Sequence, residues 1–169
     1  MNATLIDRYN AMIKPDQICL WVGDAFFMPF GAAAEVMKRL NGQKVLIRGN
    51  HDRSTRSIRL GFMAVFNELT FQLAERSIRV NHYPYWKNSD QFRKTLESSP
   101  LALARFDKMI KRRPKKIKGE ILIHGHVHGK KRVRENMINV GVDAWEYAPV
   151  SIKEIEKLIE GMSIPKNLV

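Results

Sequence analysis

Three apolar segments of this chain end in residues that can hold a metal ion or move a proton. Residues 19–22, CLWV, run into Gly23-Asp24. Residues 45–48, VLIR, run into Gly49-Asn50-His51-Asp52. Residues 121–123, ILI, run into His124-Gly125-His126-Val127-His128. His82 closes a fourth segment, SIRVNH, so all 5 histidines of the chain stand at or beside the ends of such segments. Imidazole, carboxylate and amide oxygen together suit borderline divalent transition metals such as Mn, Fe, Zn or Co. A thiolate site is excluded, because Cys19 is the only cysteine. Two such ions about 3.5–4 Å apart form the clamp that cleaves phosphoesters.

These side chains meet only if the segments are strands whose carboxyl ends share one rim, where open sheets carry their ligand sites. The glycines before Asp24, Asn50 and His126 allow sharp turns and close approach. The remaining pattern supplies the scaffold. Apolar spacing predicts a helix over 4–13, ended by Lys14-Pro15-Asp16, and another over 32–40, stopped by Asn41-Gly42. Residues 17–22 and KVLIR read as short buried strands, and residues 53–60 as a short basic helix. LTFQLA and SIRVNH alternate around Glu75-Arg76 and read as a hairpin. Residues 89–118 read as helix and loop. EILIH and NMINVGV read as strands, and Ser151 with Glu154 forms a capping box for a last helix. No repeat or linker interrupts the pattern, so one α/β (α+β layered) domain over 1–169 is expected.

Of the 169 residues, 44% are hydrophobic and 27% charged, which excludes a disordered chain. The first residues show no signal-peptide pattern and no apolar run is long enough to span a membrane, so a cytoplasmic location is expected. Cys19 lies in an apolar run and reads as a buried small hydrophobe rather than a nucleophile. The net charge of +12 favours anionic partners such as phosphorylated substrates or nucleic acid.

Taken together, GD at 23–24, GNHD at 49–52, His82 and GHVH at 125–128 resemble, in order and approximate spacing, the motifs of the calcineurin-like metallophosphoesterases, in a small bacterial and phage-type branch. The flanks LNGQKVLIRGNHD, NHYPYW and INVGVDAWEYAPVS are similar too. The resemblance implies a β-sandwich flanked by helices, with the metal site at the strand ends. It implies hydrolysis of phosphomonoesters or phosphodiesters by a metal-activated water, with one or two ions per chain, manganese first and Zn, Fe or Ni as alternatives. Asp24 would bridge two ions. Asn50, His82 and His126 would complete the shell of one, and His128 would serve the other. His51 would act beside the leaving group, oriented by Asp52. His124, just ahead of Gly-His-x-His, would support the ligands from behind or be structural. The family's opening Asp-x-His motif has no match here, since no histidine precedes His51. The first strand and its ligands are therefore expected to be missing, which leaves a complete set for one ion only. Exposed strand edges would then favour a homodimer.

Basic residues flank these motifs. Arg53, Arg56 and Arg59 follow GNHD, and KKRVR, starting at Lys130, follows GHVH. Residues 105–118 carry eight Lys or Arg against one Asp. Arg53 and Lys130 are expected to bind substrate phosphate. Tyr83, Tyr85 and Trp86 stand equally as base-stacking or wall residues. Two other readings stay open. One is a catalytically impaired relative that binds metal and nucleotide or nucleic acid without efficient turnover. The other is a basic nucleic-acid-binding protein whose histidines are structural.

Overall fold

A computed structural model describes residues 2–86, 89–129 and 131–163. Two sheets carry the chain's strands. The first is fully parallel, in the order β1 (Ile18–Trp21), β2 (Gln43–Ile47), β3 (Ala64–Phe66). The second has the order β4 (Glu68–Leu73), β5 (Arg76–Asn81), β6 (Ile121–His124), β8 (Met137–Asn139), β7 (Val133–Arg134). Its inner pairs β5–β6 and β6–β8 are parallel, and its outer pairs are antiparallel hairpins.

Alternation along β2 assigns its two faces. Leu46 packs with Ile6 and Tyr9 of α1 (Asn2–Met12) and with Ala33 and Met37 of α2 (Phe30–Arg39). Ile47, one residue on, points the other way. It shares a core with Ile78, Val80, Ile121, Ile123 and Ile138 of the second sheet and with Ile155 and Ile159 of α6 (Ile152–Glu160). The two sheets thus face each other across an aliphatic layer, with helices outside. This is the α+β layered arrangement expected from the sequence. Buried β-branched runs such as β6, every residue of which is buried, form strands because branched side chains pack well on a pleated surface.

Helix ends follow local chemistry. Ser151 Oγ accepts the Glu154 N–H at 3.2 Å, half of the capping box read from the sequence. The basic helix after GNHD is α3 (Ser54–Arg59), and the 89–118 segment contains α4 (Ser89–Thr95) and α5 (Pro100–Ile110). Three short elements escaped the sequence reading: β3, β7 and a 3₁₀ turn at Val142–Ala144. At two or three residues each, none is long enough to show a period. Cys19 is partly buried with its thiol pushed up chiefly by burial, in keeping with an inert side chain. Among the described residues no helix is long and apolar enough to cross a membrane.

Candidate metal centre

Strands β1, β2, β5 and β6 deliver four side chains to one point. His82, directly after β5, is the hub, and its ring is 1% exposed. Its Nδ1 lies 2.9 Å from the Val22 carbonyl, which can only accept, so Nδ1 carries the ring proton. In the neutral ring, the form that binds a metal, Nε2 then has a bare lone pair. Nε2 faces His126 Nδ1 at 3.1 Å, Asn50 Oδ1 at 3.2 Å and Asp24 Oδ2 at 3.4 Å. Asn50 Oδ1 and Asp24 Oδ2 bring oxygen lone pairs to this nitrogen, an arrangement that a cation relieves. Two ligands about 2.1 Å from one ion and about 90–110° apart lie about 3.0–3.4 Å from each other. The spacing around His82 fits that requirement. The coordinating atoms of Asp24, His82 and His126 all fall within 4.8 Å of one another, so these residues can hold a metal ion.

The backbone is shaped to allow the convergence. Asp24 (φ 54°) and His126 (φ 65°) both adopt left-handed conformations, which cost a non-glycine residue about 1–2 kcal/mol each. Gly23 (φ 86°) could carry no side chain, because a Cβ there would meet His82 Nδ1 at 2.1 Å. A Cβ on Gly49 would lie 2.2 Å from Asp24 Oδ1. The two glycines let the loops after β1 and β2 close against the hub.

Asp24 divides its carboxylate. Oδ1 accepts the His51 N–H at 2.9 Å, and Oδ2 turns to the hub. The His126 imidazole is pushed down to about 4, first by burial and then by the facing His82, so it is neutral near pH 7 and offers its lone pair. Its ring leans on Tyr83 at 4.9 Å between centroids. Tyr83 and Tyr85 are both buried, so they are wall residues. His124 is buried beneath, hydrogen-bonded to the Gly125 carbonyl at 2.8 Å and lowered in pKa by burial, a structural role.

Two residues depart from the roles that the family resemblance implied. His128 does not join the cluster. The left-handed turn at His126 sends the next residues outward, and His128 is exposed and paired with Asp143 at 3.1 Å. Asp52 does not orient the His51 ring. Its carboxylate accepts the N–H groups of Asp24 at 2.7 Å, Gly49 at 2.9 Å and Ala25 at 3.0 Å. It joins the β1 loop to the β2 loop and so holds Asp24 in place. The His51 ring is exposed and rests against Phe27, 4.8 Å between centroids.

Basic groups surround the centre, but not all of those expected. Arg53 lines a cavity of about 590 Å³ beside His51, together with Arg56 and Arg59. Lys130 lies outside the described residues. Its neighbour Arg132 is a packing residue, 4.2 Å above the Trp145 ring and donating to the Ala144 carbonyl. Sequence reasoning missed that Arg105, Lys108 and Arg112 close a second cavity, of about 320 Å³, with Asn50, Tyr83 and His126. Their i, i+3, i+7 spacing was the available signal. Their approach to the site depends on Phe106, which docks α5 against Trp86 and Phe92.

No family model matches the chain. It is 30% identical over 180 residues to the uncharacterized protein MJ1445 of Methanocaldococcus jannaschii, an alignment covering 99% of this chain and 80% of that protein. Its shape is similar to the crystal structure of the protein of unknown function AQ665 from Aquifex aeolicus. The TM-score is 0.62 at 24% identity, over 93% of this chain and 84% of the other, a likeness of fold.

Proposed function

Since the chain belongs to the family of the uncharacterized protein MJ1445, whose name states no chemistry, we propose its activity from the site itself: a metal-dependent phosphoesterase using one divalent ion. The motifs' resemblance to calcineurin-like metallophosphoesterases supports the reading. The observation that carries it is His82 Nε2 facing Asp24, Asn50 and His126 within 3.1–3.4 Å. The mixed oxygen and nitrogen set suits a divalent transition metal, and the family resemblance puts Mn first, with Zn, Fe or Ni as alternatives. When bound, such an ion supplies Lewis acidity, polarising the phosphoryl group and acidifying the attacking water.

The protein's own groups do the rest. His51 presents its exposed ring on the cavity side of the centre and gives a proton to the leaving oxygen. Asp52 is a positioning residue, because its carboxylate is occupied by three backbone N–H groups. Arg53 attracts the substrate's phosphate from the wall of the same cavity. The single-thiol composition supports a cytoplasmic setting.

The displacement of His128 favours a second reading, a relative that binds metal and a phosphorylated ligand with little turnover. Hydrolysis of p-nitrophenyl phosphate and its bis ester with Mn, Zn, Ni and Mg decides between them. The enzyme reading expects Mn-stimulated turnover, with kcat down about 100-fold or more in Asp24→Ala and in His51→Ala. Metal binding without hydrolysis of either ester by any of the four would establish the second reading.

A further inference from the structure

Consecutive residues at the rim, Asn50 and His51, line different cavities. The His51 cavity is bordered by Arg53, Arg56 and Arg59, the Asn50 cavity by Arg105, Lys108 and Arg112. None of these six cations forms an ion pair among the described residues. Arg56 donates to the Met28 carbonyl, and Arg59 lies 5.1 Å above the Phe30 ring, so both are held by neutral groups that leave their charge uncompensated. Asp52, the carboxylate in the His51 cavity, is consumed by backbone N–H groups. On α5, Asp107 is held by Arg93 at 2.9 and 3.2 Å and does not line the second cavity.

Three like charges around one small cavity repel unless an anion joins them, and here that happens twice, once on each branch of the rim. A lone phosphate at the metal centre answers neither cluster fully. Aromatic surface accompanies the cations. Phe27 is 66% exposed against the His51 ring, and Phe30, at 37% exposure, lines the same cavity. Exposed rings beside a cationic groove are the combination that binds single-stranded nucleic acid, with phosphates on the cations and bases on the rings.

We infer that the substrate is a phosphodiester chain, a single strand of nucleic acid laid across the rim. Phosphates flanking the scissile one rest on Arg105, Lys108 and Arg112 at one side and on Arg53, Arg56 and Arg59 at the other. This rests on the phosphoesterase reading and narrows it.

The test uses the full chain loaded with Mn and a fluorescein-labelled oligothymidylate of about eight nucleotides, a length in the range of single-strand sites. Anisotropy is followed across a NaCl series, and cleavage is compared with that of p-nitrophenyl phosphate. The triple variant Arg105→Gln, Lys108→Gln, Arg112→Gln should raise Kd about tenfold or more. It should also flatten the log–log salt slope by about 2, at roughly 0.7 for each phosphate no longer neutralised. Its kcat/KM should fall about ten times further on the oligonucleotide than on p-nitrophenyl phosphate. Arg53→Gln with Arg59→Gln should act in the same direction. Lys153→Gln with Lys157→Gln, exposed on α6, is the charge control and should change Kd less than about twofold. Equal effects of the α5 and α6 variants, or a blunt duplex bound as tightly as the strand, would overturn the inference. Turnover of p-nitrophenyl phosphate without strand binding keeps the phosphoesterase reading and overturns this one. Strand binding through these cations, with no ester hydrolysed, supports the strand site and overturns the phosphoesterase reading.

Discussion

His126 and His128 stand two residues apart and have opposite fates. His126 is turned inward by a left-handed backbone, leans on Tyr83, and meets His82 at 3.1 Å. His128 is exposed and meets the Asp143 carboxylate at 3.1 Å. The same contrast separates two aspartates: Asp52 holds two loops together through three N–H groups, whereas Asp143 meets an exposed ring. A metal-ligating pattern in sequence is therefore not yet a site. Enclosing neighbours fix the His126 ring where it could serve as a ligand, whereas the His128 ring is exposed.

The comparison can be broken by substitution, beginning with the two aspartates. Asp52→Ala strands three backbone donors in the half-buried β1 and β2 loops and should destabilise the fold by about 2–4 kcal/mol in urea denaturation. Asp143→Ala should stay within about 0.5 kcal/mol of the parent. Equal effects would mean that the β1–β2 junction is not what holds Asp24. The glycines give a smaller test. Gly23→Ala must place a methyl group 2.1 Å from His82 Nδ1 at φ 86°, whereas a Cβ on Gly129 meets nothing within 4 Å. The first should cost about 1–3 kcal/mol and weaken Mn binding about 10–100-fold by calorimetry. The second should leave both nearly unchanged.

Proton linkage sharpens the same contrast. Burial holds the His126 imidazole at about 4 in the native protein, against about 6.5 in an unfolded chain. His124 is shifted in the same direction by burial. Between those values the unfolded chain binds protons that the native protein does not. Native stability is therefore greatest above about pH 6.5 and declines as the pH falls towards 4. Chelator-treated protein should show that decline, and His126→Gln should flatten it.

Much of this was legible in the sequence because short apolar runs bounded by glycine and asparagine leave few alternatives. The runs around CLWV, KVLIR and EILIH are strands, and a hairpin joins β4 to β5 with Leu73 opposite Arg76, its turn at Ala74-Glu75, one residue earlier than the sequence suggested. Asp24, Asn50, His82 and His126 were readable as a set because each ends or follows a strand. Two things were not readable. Whether His128 turns inward depends on one backbone angle at His126, and alternating histidines do not reveal its sign. The role of α5 was hidden because the 105–118 segment lies far in sequence from Asn50 and Tyr83. The packing of Phe106 on Trp86 and Phe92, with Arg113 donating to the Pro84 carbonyl, brings Arg105, Lys108 and Arg112 to the centre.

The central claim is one divalent ion held by Asp24, Asn50, His82 and His126. Its most direct test is equilibrium dialysis against MnCl2 followed by metal quantitation on the parent chain, His126→Ala and His128→Ala. About one Mn per chain is expected for the parent and for His128→Ala, with binding at least about 100-fold weaker in His126→Ala. Two ions per chain, none, or equal losses in the two histidine variants would contradict it.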